Sequence, residues 1–142
     1  MAIKIRYIIL SMFLFVTHLL HAANTKMHDT QCLAMAIFHE AGGEPRIGQL
    51  AVGRVIINRV HAGMASSVCG VIHQRHQFTF RATAIPHGRA EYFLSMATKL
   101  LSGDSDGIHF PNQMLYFNNH PMHHKKIRLY RIIGHQRFYI LV

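Results

Sequence analysis

Glu40 and Glu44 stand four positions apart in the segment His39-Glu40-Ala41-Gly42-Gly43-Glu44-Pro45, within a chain of 142 residues that has six carboxylate side chains in all. Two acids in one turn of so acid-poor a chain point to proton transfer, and in particular to the paired carboxyl groups used in glycoside cleavage. Their surroundings predict different roles. The run Thr30 to His39 contains no Gly, Pro, Asp, Glu, Lys or Arg, and reads as a buried helix with Asp29 or Thr30 as its cap and Gly42-Gly43 as its stop. At the helical period, Leu33, Ala36, Ile37 and Glu40 share one stripe, so the Glu40 carboxyl leaves an apolar face in the last turn. Desolvation and the negative end of the helix dipole both disfavour its charged form, as a general acid requires. Glu44 precedes Pro45 at the opening of a second helix, where the positive dipole end favours an anion. It reads as a fixed charge that supports the site, holds the Gly-Gly turn, or pairs with Arg54 or Arg59.

Other chemistries fit less well. His39-Glu40 begins like a zinc-protease helix, but Gly43 stands where the second histidine ligand must be. His120, His123 and His124 lead into Lys125-Lys126 and read as a solvated basic loop, and Asp104 to Gly107 reads as a turn that lacks the remaining ligands of a calcium loop. No phosphate-cradling Gly-rich loop and no Gly-x-Ser-x-Gly elbow occurs. No metal and no cofactor are expected. Fifteen Lys and Arg against six acids give a net charge of +9. The cations are scattered and not striped along one helix, which argues against nucleic acid and for attraction to an anionic envelope surface.

The elements that must position these groups follow from the rest of the pattern. Residues 1–22 read as a signal peptide: Lys4 and Arg6 precede an apolar run from Tyr7 to Val16, and Leu20-His21-Ala22 offers a cleavage site after Ala22. An uncleaved inner-membrane anchor is the alternative, although the run is short of the roughly 20 apolar residues of a span. Residues 23–142 make one domain, taken as a monomer, and still strongly basic. Export to an oxidising compartment lets Cys32 and Cys69 close a loop of about 38 residues, worth roughly 3–4 kcal/mol; two buried thiols are the alternative. Further helices are expected from Pro45 to Val60, where Gly48 and Gly53 imply close packing, from Ser66 or Ser67 to Ile72, and from about Arg89 to Leu101. The stretch 73–88 reads as a loop along a cleft, and Gln113 to Phe117 and Arg137 to Leu141 as short strands. Helices followed by a small strand element argue for an α+β fold.

Cys32 to Asn58, with Ala36-Ile37-Phe38-His39-Glu40-Ala41-Gly42-Gly43-Glu44-Pro45, Gly48-Gln49-Leu50-Ala51-Val52 and Val55-Ile56-Ile57-Asn58-Arg59-Val60, closely resembles the SleB/CwlJ-type cell wall hydrolases. The resemblance continues through Val68 to Ile72, Gln77-Phe78-Thr79, Leu115-Tyr116-Phe117, Gly134-His135 and Phe138-Tyr139. It departs from the family pattern at Gly42, where Arg is common, and at Pro121 to His124, where a Trp commonly follows. The resemblance implies a lysozyme-like, mainly helical α+β domain with a small β element toward its C-terminus. It also implies cleavage of peptidoglycan strands between N-acetylmuramic acid and N-acetylglucosamine by a lytic transglycosylase whose single acid/base matches Glu40. Glu44, Gln77, Phe78, Thr79, Tyr116 and His135 are the expected supporting or glycan-contacting residues. A hydrolytic muramidase, or a non-catalytic envelope-binding protein that keeps the fold, are the alternatives.

Overall fold

The computed structural model describes residues 2–74, 78 and 84–142, with side chains before residue 24 described at Met12 and Thr17 alone. Gln77 and Thr79 lie outside the described residues. Among the described residues four helices, α1 (Ala2–Ala41), α2 (Arg46–His61), α3 (Val68–Ile72) and α4 (His87–Leu101), precede three strands, β1 (Met114–Asn118), β2 (Ile127–Ile133) and β3 (Gln136–Leu141). The chain is therefore α+β, mainly helical, with a small sheet at its C-terminal end. Among the described residues no helix is long and apolar enough to cross a membrane.

The expected cap at Asp29 or Thr30 does not form, because α1 runs through it. Thr30 Oγ1 donates back to the Lys26 carbonyl at 3.0 Å, a bond compatible with a continuing helix. Asp29 Oδ1 instead accepts the Cys69 amide at 3.0 Å, and Ser67 Oγ accepts that of Gly70 at 3.0 Å. Both acceptors satisfy amides that the first turn of α3 leaves without helical partners. Cys32 and Cys69 are joined in a disulfide, with Cα atoms 5.4 Å apart, so α3 is held to α1 by a covalent link and by the Asp29 hydrogen bond.

Helix α2 is the centre of the molecule. Every residue from Gly48 to Arg59 is buried except the half-buried Arg54, because α1, α3, α4 and β1 all pack around it. Gly53 permits the closest approach: a Cβ there would lie 2.6 Å from Leu100 Cδ1 and 2.9 Å from Ile37 Cδ1. Leu33, Ile37, Leu50, Val55, Phe93, Met96 and Phe138 fill the core between these elements.

The sheet has the order β1-β3-β2, with both pairings antiparallel. Strand β2 was not expected from the pattern. Register shifts between Leu129 and Arg131, so the bulge at Tyr130 breaks the period-2 alternation. Of its residues only Ile133 is buried.

The β2–β3 hairpin is locked to the α1–α2 turn by Glu44. Its Oε2 accepts the His135 amide at 2.9 Å and its Oε1 lies 3.1 Å from His135 Nδ1. Neither Arg54 nor Arg59 pairs with Glu44, since Arg54 donates to Ser105 Oγ and Arg59 to the Leu115 carbonyl. Gly134, at φ +58°, supplies the left-handed first position of the two-residue turn. A Cβ there would collide with the Glu44 carboxylate.

Two outcomes follow for stability. The disulfide closes a sequence separation of 37 residues, which contributes about 3–4 kcal/mol in the chain-entropy model. Reductant is expected to lower the thermal midpoint by on the order of 10 °C; an unchanged midpoint would contradict this. Glu44→Ala leaves the hairpin amide without its acceptor and is expected to cost about 1–3 kcal/mol in urea unfolding. Hydrogen exchange at the His135 amide should rise in the same variant, and unaltered exchange would show that Glu44 does not hold the hairpin.

Candidate functional site

Leu33, Ala36 and Ile37 are fully buried, and Glu40 follows them on the same stripe, half-buried in the last turn of α1. Burial pushes the Glu40 carboxyl above the ordinary glutamate range, while the charges of His39 and Arg59 pull the other way and do not overcome it. The result is a carboxyl group biased toward its protonated form and within the electrostatic influence of His39 and Arg59.

The backbone around Glu40 is fixed by donors from distant elements. The Glu40 carbonyl accepts Gln136 Nε2 of β3 at 3.1 Å, and the Gly42 carbonyl accepts Arg89 Nη2 of α4 at 2.6 Å. The Arg89 guanidinium lies over the rings of Phe38 and Phe93, 5.0 and 5.2 Å from their centroids. Gln49 Nε2 donates to the Glu44 carbonyl at 3.0 Å, and Tyr92 donates its hydroxyl to Gln49 Oε1 at 2.8 Å.

Arg59 is the functional candidate that sequence reasoning placed only as a possible partner of Glu44. It is 5% exposed, its Nε donates to the Leu115 carbonyl at 2.8 Å, and its guanidinium carbon sits 5.8 Å from the ring centroids of both Phe78 and Tyr116. Desolvation lowers its pKa, and the electrostatic influence of Tyr116 and Glu40 opposes that. An arginine stays charged even so. The available signal was a lone cation inside the apolar run Val55-Ile56-Ile57-Asn58-Arg59-Val60.

Of the residues expected at the site, Phe78 and Tyr116 pack against Arg59, and Glu40 lies within reach of its charge. Phe78 also meets Phe117, with centroids 6.4 Å apart. His135 stands on the hairpin turn with its side chain 90% exposed, tied to Glu44 and not to Arg59. The other carboxylates are committed elsewhere or face solvent: Asp29 to α3, Asp104 to the Asp106 amide, Asp106 to Arg46 at 2.6 Å, and Glu91 exposed on α4. Among the described residues the group able to offer three metal-ligand atoms is His28, Cys32 and Cys69, and the disulfide engages both sulfurs.

The family profile described as Cell Wall Hydrolase matches residues 43–139, which takes in Glu44, Arg59, Tyr116 and His135 and begins three residues after Glu40. Over 53 residues, 37% of this chain, it is 45% identical to a spore cortex-lytic enzyme of Bacillus cereus. Over the same length it is 43% identical to the spore cortex-lytic enzymes of Halalkalibacterium halodurans and Bacillus subtilis. These alignments span 16–20% of the relatives' own lengths. The crystal structure of the catalytic domain of the Bacillus cereus SleB protein superposes with a TM-score of 0.59 at 28% identity, covering 78% of this chain and 88% of that one. With the profile spanning more than half of its residues and a solved member sharing its fold, this chain belongs to the cell wall hydrolase family.

Proposed function

We propose that this protein cleaves the glycosidic bond between N-acetylmuramic acid and N-acetylglucosamine in peptidoglycan, as a lytic transglycosylase with Glu40 as its single acid and base. The observation that carries the reading is the state of the carboxyl groups: Glu40 is the acid whose pKa burial raises, and both oxygens of its neighbour Glu44 are engaged by His135. An inverting or retaining glycosidase needs a second free carboxylate to activate water or to attack C1. A transglycosylase needs one group used twice.

Protonated Glu40 donates to the glycosidic oxygen as the bond from that oxygen to muramic C1 breaks. The Glu40 carboxylate then takes the proton of the muramic C6 hydroxyl, and that oxygen bonds to C1 to close an anhydro ring. Glu40 ends protonated again, and no water is consumed. Arg59 stabilises the carboxylate formed midway, so burial favours the donor state and the buried cation eases the acceptor state. Tyr116 and Phe78, held against Arg59, present aromatic surface suited to a sugar face.

The proposal includes action outside the cytoplasm, with residues 1–22 removed after Ala22. Such a cut leaves an α1 that begins before Cys32, the first buried residue among those described. The names of the relatives, which describe spore cortex-lytic enzymes, support the substrate class.

Purified protein on peptidoglycan sacculi, with product masses recorded, tests the reading. Glu40→Gln is expected to reduce glycan release by about 100- to 10,000-fold, and wild-type products are expected to end in anhydromuramic acid. Equal release by variant and wild type would reject Glu40. Ends carrying a solvent oxygen would assign a hydrolytic muramidase instead, and binding to sacculi without any turnover would assign a non-catalytic wall-binding protein.

A further inference from the structure

Between Gly107 and Val142 the chain has no Asp or Glu, yet it has Lys125, Lys126, Arg128, Arg131 and Arg137. Four of these cations, all but Arg137, lie on β2 or immediately before it. Among the described residues none of those four takes part in an ion pair. The same edge strand exposes apolar groups that the core leaves uncovered, with Leu129 46%, Tyr130 38% and Ile132 52% accessible.

The register explains how the two kinds of side chain separate. Leu129 pairs with Tyr139, Ile132 with Arg137 and Ile127 with Leu141, and paired residues share a sheet face. The outer face of β2 is thus apolar and continuous with Leu141, itself 42% exposed. Arg128 and Arg131 pair with Ile140 and Phe138, so they leave the strand from the other face, beyond the packed helices, and remain exposed. A hollow of about 240 Å³ lined by Tyr116, Met122, His124, Lys126, Ile127 and Leu141 opens beside the apolar strip.

We propose that the β2 edge is a docking surface for an anionic lipid membrane, with Leu129 and Ile132 of the outer face entering the headgroup boundary while Lys125 and Lys126, and the long side chains of Arg128 and Arg131 reaching around the uncovered edge from the other face, bind lipid phosphates. Exposed apolar side chains with interleaved cations have the composition of an interfacial anchor. A water-swollen phosphate polymer satisfies the cations and leaves the apolar strip in water. A second copy pairing antiparallel along the whole of β2 would set the Arg128 and Arg131 of each chain within a residue or two of those of the other, where like charges repel. The membrane is the occupant that uses both halves of the surface.

The test is co-sedimentation of the full chain with phosphatidylcholine vesicles and with vesicles containing phosphatidylglycerol. All variants keep the N-terminal segment, so differences between them report on β2. Wild type is expected to partition at least tenfold more strongly into the anionic vesicles. The pair Arg128→Glu and Arg131→Glu is expected to lose that excess, on the order of fivefold per arginine removed. The pair Leu129→Ser and Ile132→Ser, a separate route should the charge variant fold poorly, is expected to weaken binding to anionic vesicles with the arginines intact. Glu40→Gln is expected to bind as wild type does, which separates this surface from the catalytic reading. Vesicle binding unchanged in both β2 variants overturns the proposal. Loss of binding to sacculi with vesicle binding intact overturns it in favour of a wall polymer, and a wild-type dimer that the variants convert to monomer overturns it in favour of a second copy.

Discussion

The last turn of α1 ends in carbonyl oxygens that the helix cannot satisfy itself, and much of the fold is organised around satisfying them. The Phe38 and Ala41 carbonyls are taken by the amides of Gly42 and Glu44, which close the turn into α2. The Glu40 and Gly42 carbonyls are taken by side chains from β3 and α4, Gln136 and Arg89. The first two bonds are local and the second two span the whole domain. The direction in which the Glu40 side chain leaves the protein is therefore fixed from the sheet and from the fourth helix at once. Glu44 adds the reciprocal tie, using its carboxylate to hold the hairpin whose next residue supplies Gln136.

Electrostatics follow from this placement. A carboxyl group at the end of an apolar stripe sits where its charge is poorly solvated, and Arg59, whose charge acts on it, is itself buried among backbone and aromatic rings. Burial dominates, and His39 and then Arg59 moderate it. Because the folded-state pKa of Glu40 is raised, ionising it destabilises the fold: the contribution is fully present below the ordinary carboxylate range and is lost as pH rises through the raised value. The disulfide from α1 to α3 and the close crossing at Gly53 brace the helix that carries this strain.

How far the pattern of residues revealed this arrangement depended on the range of each interaction. The Glu40 stripe was legible because Leu33, Ala36 and Ile37 act within one helix, and the glycines of α2 were legible because small residues in an apolar helix imply a close neighbour. Asp29 was misread as a cap for its own helix because its true partner, the Cys69 amide, is 40 residues away. Glu44 was given Arg54 or Arg59 as its possible partner for the same reason, since its actual partner, His135, lies 91 residues on. Arg59 was placed only as a possible partner of Glu44 because nothing local shows that Leu115, Phe78 and Tyr116 will surround it. Strand β2 escaped notice because a bulged strand exposed on both faces has no alternation to detect.

The central claim is that Glu40 is a carboxyl group held toward its protonated form by burial and moderated by Arg59. Carbon-13 NMR titration of the Glu40 side-chain carboxyl in the wild-type protein and in Arg59→Met measures this directly. The account predicts a midpoint above the ordinary glutamate range in wild type and a further rise when the cation is removed. A wild-type midpoint at or below that range, or a fall in Arg59→Met, would contradict it.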